Sequence, residues 1–204
     1  MTARTLNQIE KAVSVLRSGG VIAMPTDTLY ALSGAARDAA AVARVFEIKG
    51  REPGKPLLLL VSGPEMAEQI GVFNESARRL AAGFWPGQLT LVLPKQPAFE
   101  SEALSGGSTV GLRVPDNDIA RAVIAGAGDA LTGTSANLSG GRDPVSAEEV
   151  MRQLDGRVDL ILDAGPAAHG IASTIVDCTG AKPVILREGV ISKERILAAL
   201  EAHD

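Results

Sequence analysis

The sequence predicts an α/β fold: one domain over residues 1–204, with a twisted mixed sheet flanked by helices. Three observations carry this reading. Helix and strand patterns alternate through the first half of the chain. Short strands cluster in the second half. No repeat, low-complexity tract or long linker divides the two. The hydrophobic content of 46% is enough for a substantial core, and with aromatics at 3% that core must be filled by Val, Leu, Ile and Ala.

The elements follow in order. Leu6, Ile9, Val13 and Leu16 recur at three- and four-residue steps, which predicts a helix over 5–17. Thr5 and Gln8 fit a capping box, and Gly19-Gly20 a stop. Residues 21–24 read as a buried strand ended by Pro25. Asp38 can cap a helix carrying Val42, Val45 and Phe46 and ending at Gly50. Residues 57–61 form a continuous apolar run, as in a strand covered on both faces. Helical stretches follow over 64–70 and 75–82, then a strand over 89–93. Pro, Ser, Gly and Glu mark 94–107 as a loop. A strand over 110–114, a helix over 116–124 and a short strand over 130–133 come next. Ser146 and Glu149 make a second capping box, with Val145 and Val150 as its staple. Strands over 160–162, 174–176 and 184–186 precede a last helix from Ser192, with Ile191 and Ile196 as staple.

Composition narrows the chemistry. The net charge is −4, so a protein-wide nucleic-acid-binding field is not supported. Few aromatics argue against a stacking platform for single strands. Cys178 is the only cysteine, and His169 and His203 are the only histidines. A disulfide framework, a thiolate metal site and a histidine zinc centre are therefore not expected. A Ser-His-Asp or Cys-His arrangement is not credible either. The chain shows no apolar run approaching a membrane span and no signal-peptide pattern over Met1-Thr2-Ala3-Arg4, so the cytoplasm is the expected compartment.

Cations, hydroxyls and amides stand at the ends of buried elements, which points to an anion site for a polyphosphate or carboxylate. Its carriers would be Lys49, Arg51, Lys55, Arg113 and Arg187. Lys49-Gly50-Arg51 sits at a helix C-terminus, where each cation gains about 0.3–1 kcal/mol from the dipole. That accounts for Lys49 but poorly for Lys55, at the entrance of a buried strand. Arg113 lies mid-strand between Leu112 and Val114. It reads either as a structural ion pair or as a bidentate clamp on a carboxylate or phosphate. Thr134-Ser135-Ala136-Asn137 reads either as an ordinary turn or as an anion cradle of amides and hydroxyls. Residues 25–30 read either as a loop presenting hydroxyls or as a helix cap by Thr26 or Asp27. Neither a G-x-x-x-x-G-K-[ST] nor a G-x-G-x-x-G loop is present.

Taken together and in order, PTDTLY, KGR followed by KPL, WPGQLTLVL, TVGLRVP, TSANLSG, STIVD and ILREG resemble the YrdC-like family, the threonylcarbamoyl-AMP synthases of tRNA modification. They span Pro25 to Gly189. The resemblance implies a single α/β domain with a large basic cavity. It also implies formation of threonylcarbamoyl-AMP and pyrophosphate from L-threonine, bicarbonate and ATP, with Mg2+ carried on ATP. Thr28, Arg113, Gly133 and Ser173 match the threonine side. Arg51, Lys55, Thr109, Ser135, Asn137, Asp143 and Arg187 match the ATP side, and Lys49 and Arg51 the catalytic signature. The product would pass to a tRNA threonylcarbamoyl transferase complex, with at most a weak direct tRNA contact. There are departures. Leu60 stands where longer members carry a threonine-contacting histidine, and Asp143 where serine is usual. The chain also ends near Asp204, without the second domain that closes over ATP in two-domain synthases. A structured-RNA-binding module and a paralogue with another carbamoyl substrate are the alternatives. A hydrogenase-maturation carbamoyltransferase would need zinc-binding cysteines that a single cysteine cannot supply.

Overall fold

A computed structural model describes residues 2–51 and 54–201. Helix α1 (Ala3–Arg17) is capped by Thr2, whose hydroxyl accepts the Thr5 amide at 3.2 Å. The Thr5–Gln8 capping box does not form, because the helix starts earlier and Gln8 reaches instead to the Asp163 carbonyl. Strand β1 (Ile22–Pro25) turns back into β2 (Tyr30–Ser33) as an antiparallel hairpin. No helix starts here: residues 26–29 form the loop between the two strands, and Thr26 and Thr28 line a cleft. Thr26 Oγ1 donates to the Leu29 carbonyl at 2.7 Å and closes the turn.

Asp38 caps α2 (Ala39–Lys49), accepting the Ala40 and Ala41 amides, and Gly50 ends it at φ +57°, where glycine carries no Cβ penalty. In the 57–61 run only β3 (Leu59–Leu60) is paired on both sides. Helices α3 (Pro64–Glu68) and α4 (Glu75–Phe84) lead to β4 (Leu89–Pro94). The 94–107 loop contains a 3-10 turn, Glu102–Leu104, and buries Phe99 and Leu104. After β5 (Thr109–Arg113), Asn117 caps α5 (Asp118–Ala127), two residues later than the sequence pattern implies. Short strands β6 (Leu131–Thr132) and β7 (Thr134–Ser135) follow. Ser146 caps α6 (Ala147–Leu154), although Glu149 closes on the Val145 amide rather than on that of Ser146. Strands β8 (Leu160–Ile161), β9 (Thr174–Asp177) and β10 (Val184–Arg187) and helix α7 (Lys193–Glu201) complete the chain.

The strands form two mixed sheets where one was expected. A four-stranded sheet runs β7-β2-β1-β8 and a six-stranded one β10-β9-β4-β5-β3-β6. Between β6 and β7 the chain passes from one sheet to the other at Gly133. Its amide donates to the Leu58 carbonyl at 2.9 Å, and a Cβ there would stand 2.5 Å from Leu58 Cδ1 and 2.7 Å from Leu60 Cγ. Only glycine lets the backbone come that close. Cys178 lies in the core, where burial pushes its thiol up to about 11, so it is inert packing rather than a nucleophile. Among the described residues, no helix is long and apolar enough to cross a membrane.

Candidate active site

Strand alternation builds the floor of a cleft. In β4, Leu89, Leu91 and Leu93 are fully buried in the core, while Thr90 and Val92 face the other way. In β5, Val110 and Leu112 are buried, and Thr109, Gly111 and Arg113 take the cleft face. Register aligns the rows: Ile175 stands opposite Thr90, Arg187 opposite Ile175, and Leu60 opposite Arg113. The second sheet supplies the facing wall through Tyr30, Thr134 and Ser135, and the cleft between them has a volume of about 690 Å³. Tyr30 is anchored by its hydroxyl to the Gly165 carbonyl at 2.6 Å. Burial, helped by Asp163, raises its pKa to about 12, so it stays neutral.

The first polar group forms around Lys49. The α2 terminus delivers its ammonium into the 135–137 turn. There it donates to Ser135 O (2.6 Å), Asn137 Oδ1 (2.6 Å) and Asn137 O (3.1 Å). Ser135 Oγ donates to Asn137 Oδ1 at 2.8 Å, and Asn137 Nδ2 reaches Gly141 O and Asp143 Oδ1. Lys49 therefore pins the turn that carries Ser135 and Asn137. Burial lowers its pKa to about 8, with Asp143 opposing that drop and Arg51 adding to it. The amide cradle anticipated here does not exist in full. The amides of Ala136, Asn137, Ser139 and Gly141 already donate to Tyr30, Ser135, Lys49 and Leu138 carbonyls. Hydroxyls and cations, rather than these amides, face the cleft. Arg51, just past the helix end, places Nη2 on the Pro56 carbonyl, and its buried Nε has no hydrogen-bond partner among the described residues.

The second group surrounds Arg113, which is 4% exposed. Nε donates to Gly87 O (2.9 Å), Nη1 to Thr28 Oγ1 (2.7 Å) and Nη2 to Asp27 Oδ1. The structural ion pair is thus real, yet the guanidinium still lines the cleft. Burial presses its pKa down and Asp27 counters that. The third group is a chain of contacts: Thr90 Oγ1 to Ser173 Oγ at 2.8 Å, and Arg187 Nη2 to Ser173 O at 2.8 Å.

Thr28, Lys49, Arg51, Lys55, Thr109, Arg113, Gly133, Ser135, Asn137, Asp143, Ser173 and Arg187 all line this one cleft. Residues from eight separate stretches of sequence meet there. Sequence reading took 25–30 as a possible hydroxyl-presenting loop, which covers Thr26, but assigned Asp27, Gln88 and Thr90 no place in the site. The signal for Asp27 was the arginine between apolar neighbours, which the structure places at the end of β5, since a buried guanidinium demands an anion. Among the described residues that line the cleft, Asp143 is the one carboxylate, and Lys49, Arg51, Lys55, Arg113 and Arg187 are the cations.

The class the structure defines is a two-sheet α/β scaffold with a cation-lined cleft at the sheet junction. Comparison places it more closely. The Sua5/YciO/YrdC family, described as "Telomere recombination", matches residues 14–189. A threonylcarbamoyl-AMP synthase of Bacillus subtilis (strain 168) is 40% identical over 195 residues, covering 95% of this chain and 56% of the relative. The structure of P. abyssi Sua5 complexed with L-threonine aligns at TM-score 0.91 and 37% identity, over 95% of this chain and 57% of that one. E. coli YciO aligns at TM-score 0.84 and 31% identity, over 93% of both chains. This chain belongs to the Sua5/YciO/YrdC family. It spans just over half the length of the B. subtilis and P. abyssi relatives.

Proposed function

We propose that this chain is a nucleotidyltransferase that makes threonylcarbamoyl-AMP and pyrophosphate from L-threonine, bicarbonate and ATP. The product would pass in the cytoplasm to a tRNA threonylcarbamoyl transferase complex. The observation that carries the proposal is the meeting of two kinds of group in one cleft. Arg113, Thr28 and Ser173 form a buried, hydroxyl-rich floor suited to a small amino acid. Lys49, Arg51, Lys55 and Arg187 supply the positive charge a triphosphate needs. Family membership and the names of the relatives support the same reading.

In this account Thr28, Arg113, Gly133 and Ser173 hold L-threonine. Arg51, Lys55, Thr109, Ser135, Asn137, Asp143 and Arg187 hold ATP. The threonine nitrogen takes up carbon from bicarbonate with loss of water, giving a carbamate. A carbamate oxygen then attacks the α-phosphorus, the bond to the bridging oxygen of the β-phosphate breaks, and pyrophosphate leaves. The carbamate brings its own nucleophilic oxygen, so no protein nucleophile is needed. Arg51, with Lys49 steadying the turn beside it, opposes the negative charge that builds on the phosphates. Magnesium would travel with the triphosphate. Among the described residues Asp143 is the one lining carboxylate, and no group of three or more His, Cys, Asp or Glu is placed to hold a metal. That donor set fits an ion held mainly by phosphates and water.

Pyrophosphate release, followed with each substrate omitted in turn, tests the proposal. Release should require both L-threonine and bicarbonate. Equal release without threonine would make the chain a simple nucleotide hydrolase.

A further inference from the structure

We propose that Asp27 is a positioning residue: it holds the Arg113 guanidinium so that the free donors of its two terminal nitrogens are presented to a substrate carboxylate, and Gln88 holds Asp27. The inference rests on the amino-acid side of the reading above. A guanidinium has five N–H donors, and here three are fixed: Nε on Gly87 O, one Nη1 hydrogen on Thr28 Oγ1 and one Nη2 hydrogen on Asp27 Oδ1. Among the described residues, each terminal nitrogen keeps one donor without a partner. The supporting carboxylate cannot swing, because its other oxygen, Oδ2, accepts from Gln88 Nε2 at 2.7 Å. Thr28 is fixed as well. Thr26 Oγ1 spends its proton on Leu29 O, so the 3.0 Å contact between the two hydroxyls is donated by Thr28, which leaves Thr28 Oγ1 to accept from Arg113. The backbone beneath is pinned by the His169 and Gly170 amides on the Asp27 and Thr28 carbonyls.

Stability alone does not explain this arrangement. A buried ion pair seldom outdoes well-packed apolar residues of similar volume. Asp27 is 4% exposed and Arg113 lines the cleft, so the pair sits where an apolar pair would close the floor. Asp27 also cancels much of the charge Arg113 would otherwise show to the cleft. This gives the proposal a direction. If charge alone held the substrate carboxylate, Asp27→Asn would tighten binding, because an uncompensated guanidinium attracts an anion more strongly. If geometry holds it, Asp27→Asn should weaken binding.

Two variants of the full chain test this, Asp27→Asn and Gln88→Met. The second keeps the ion pair and removes only the strut on Oδ2, so it carries the test if Asp27→Asn does not fold. L-threonine and ATP affinities are titrated separately by calorimetry, and the Arg113 side-chain nitrogens are followed by NMR. Asp27→Asn should weaken L-threonine binding by about tenfold, the scale of one hydrogen bond to a charged group, with ATP affinity changing far less. Gln88→Met should move the same way by less. The Nη signals of Arg113, separate in the wild type because rotation is blocked, should merge in Asp27→Asn and broaden without merging in Gln88→Met. Unchanged or tighter threonine binding in both variants overturns the proposal, and so do Nη signals already averaged in the wild type. Should the wild type bind no L-threonine at all, the substrate reading fails, and the NMR comparison decides on positioning by itself.

Discussion

Lys49 has to remain charged while almost wholly buried, and its neighbours show how. Its hydrogens point at two carbonyls and an amide oxygen, which favours the ammonium, while loss of water works against it and brings the pKa to about 8. Two opposite pH trends follow. The folded protein holds this proton less tightly than the unfolded chain does. Between pH 8 and the ordinary lysine range, Lys49's contribution to stability therefore improves as pH rises. The positive charge in the cleft is lost over the same interval. Adduct formation should thus fall as pH rises through about 8, with no loss of melting temperature attributable to Lys49. Lys49→Arg should move the alkaline fall to higher pH, although the larger head will lower the maximal rate. A pH–rate profile whose alkaline limb is identical in the two proteins would remove Lys49 from the account. At this scale the sequence was partly transparent. Arg113 announced itself as a charge between two apolar neighbours. Its partner Asp27 did not, because 86 residues separate them and only the folded register joins them.

At the scale of elements, one device recurs: a strand gives alternate residues to the core and the cleft. Thr109, Gly111 and Arg113 on β5 and Thr90 and Val92 on β4 are its clearest uses. The long strands were legible because this alternation persists over four or more residues. The division into two sheets was not, because β6, β7 and β8 are two residues each and carry no detectable period. The β2 hairpin was hidden by a proline-threonine turn that resembles a helix start. Thr174, on β9, shows how such short pieces are tied. Its hydroxyl donates to Ile191 O at 2.6 Å and accepts the Gly189 and Ile191 amides at 2.9 and 3.1 Å. Thr174→Val keeps the shape and leaves these groups without that partner. It should cost about 1–3 kcal/mol in denaturant unfolding. It should also weaken nucleotide binding, because Arg187 stands two residues before the freed turn. A variant as stable as wild type would mean that water replaces the hydroxyl without loss.

The whole molecule carries a net charge of −4, yet among the described residues five cations and one carboxylate line its cleft. Fifteen of the 20 lysines and arginines lie outside the cleft, among most of the 24 aspartates and glutamates, so what is concentrated where the two sheets meet is the local excess of positive over negative charge. This favours a compact polyanion over a long nucleic acid, whose binding would need a broad basic face. In the proposed reaction both substrates would share the junction at Gly133. The chain spans 56% of the length of its B. subtilis relative, so whether this scaffold alone completes the reaction is the central question. One measurement addresses it most directly. The protein is incubated with ATP, magnesium, L-threonine and 13C-labelled bicarbonate, and the nucleotides are separated by mass spectrometry. The account predicts an AMP adduct whose mass includes threonine and the labelled carbon, formed only when all three substrates are present. ADP or unmodified AMP as the sole product, formed at the same rate without threonine, would contradict it.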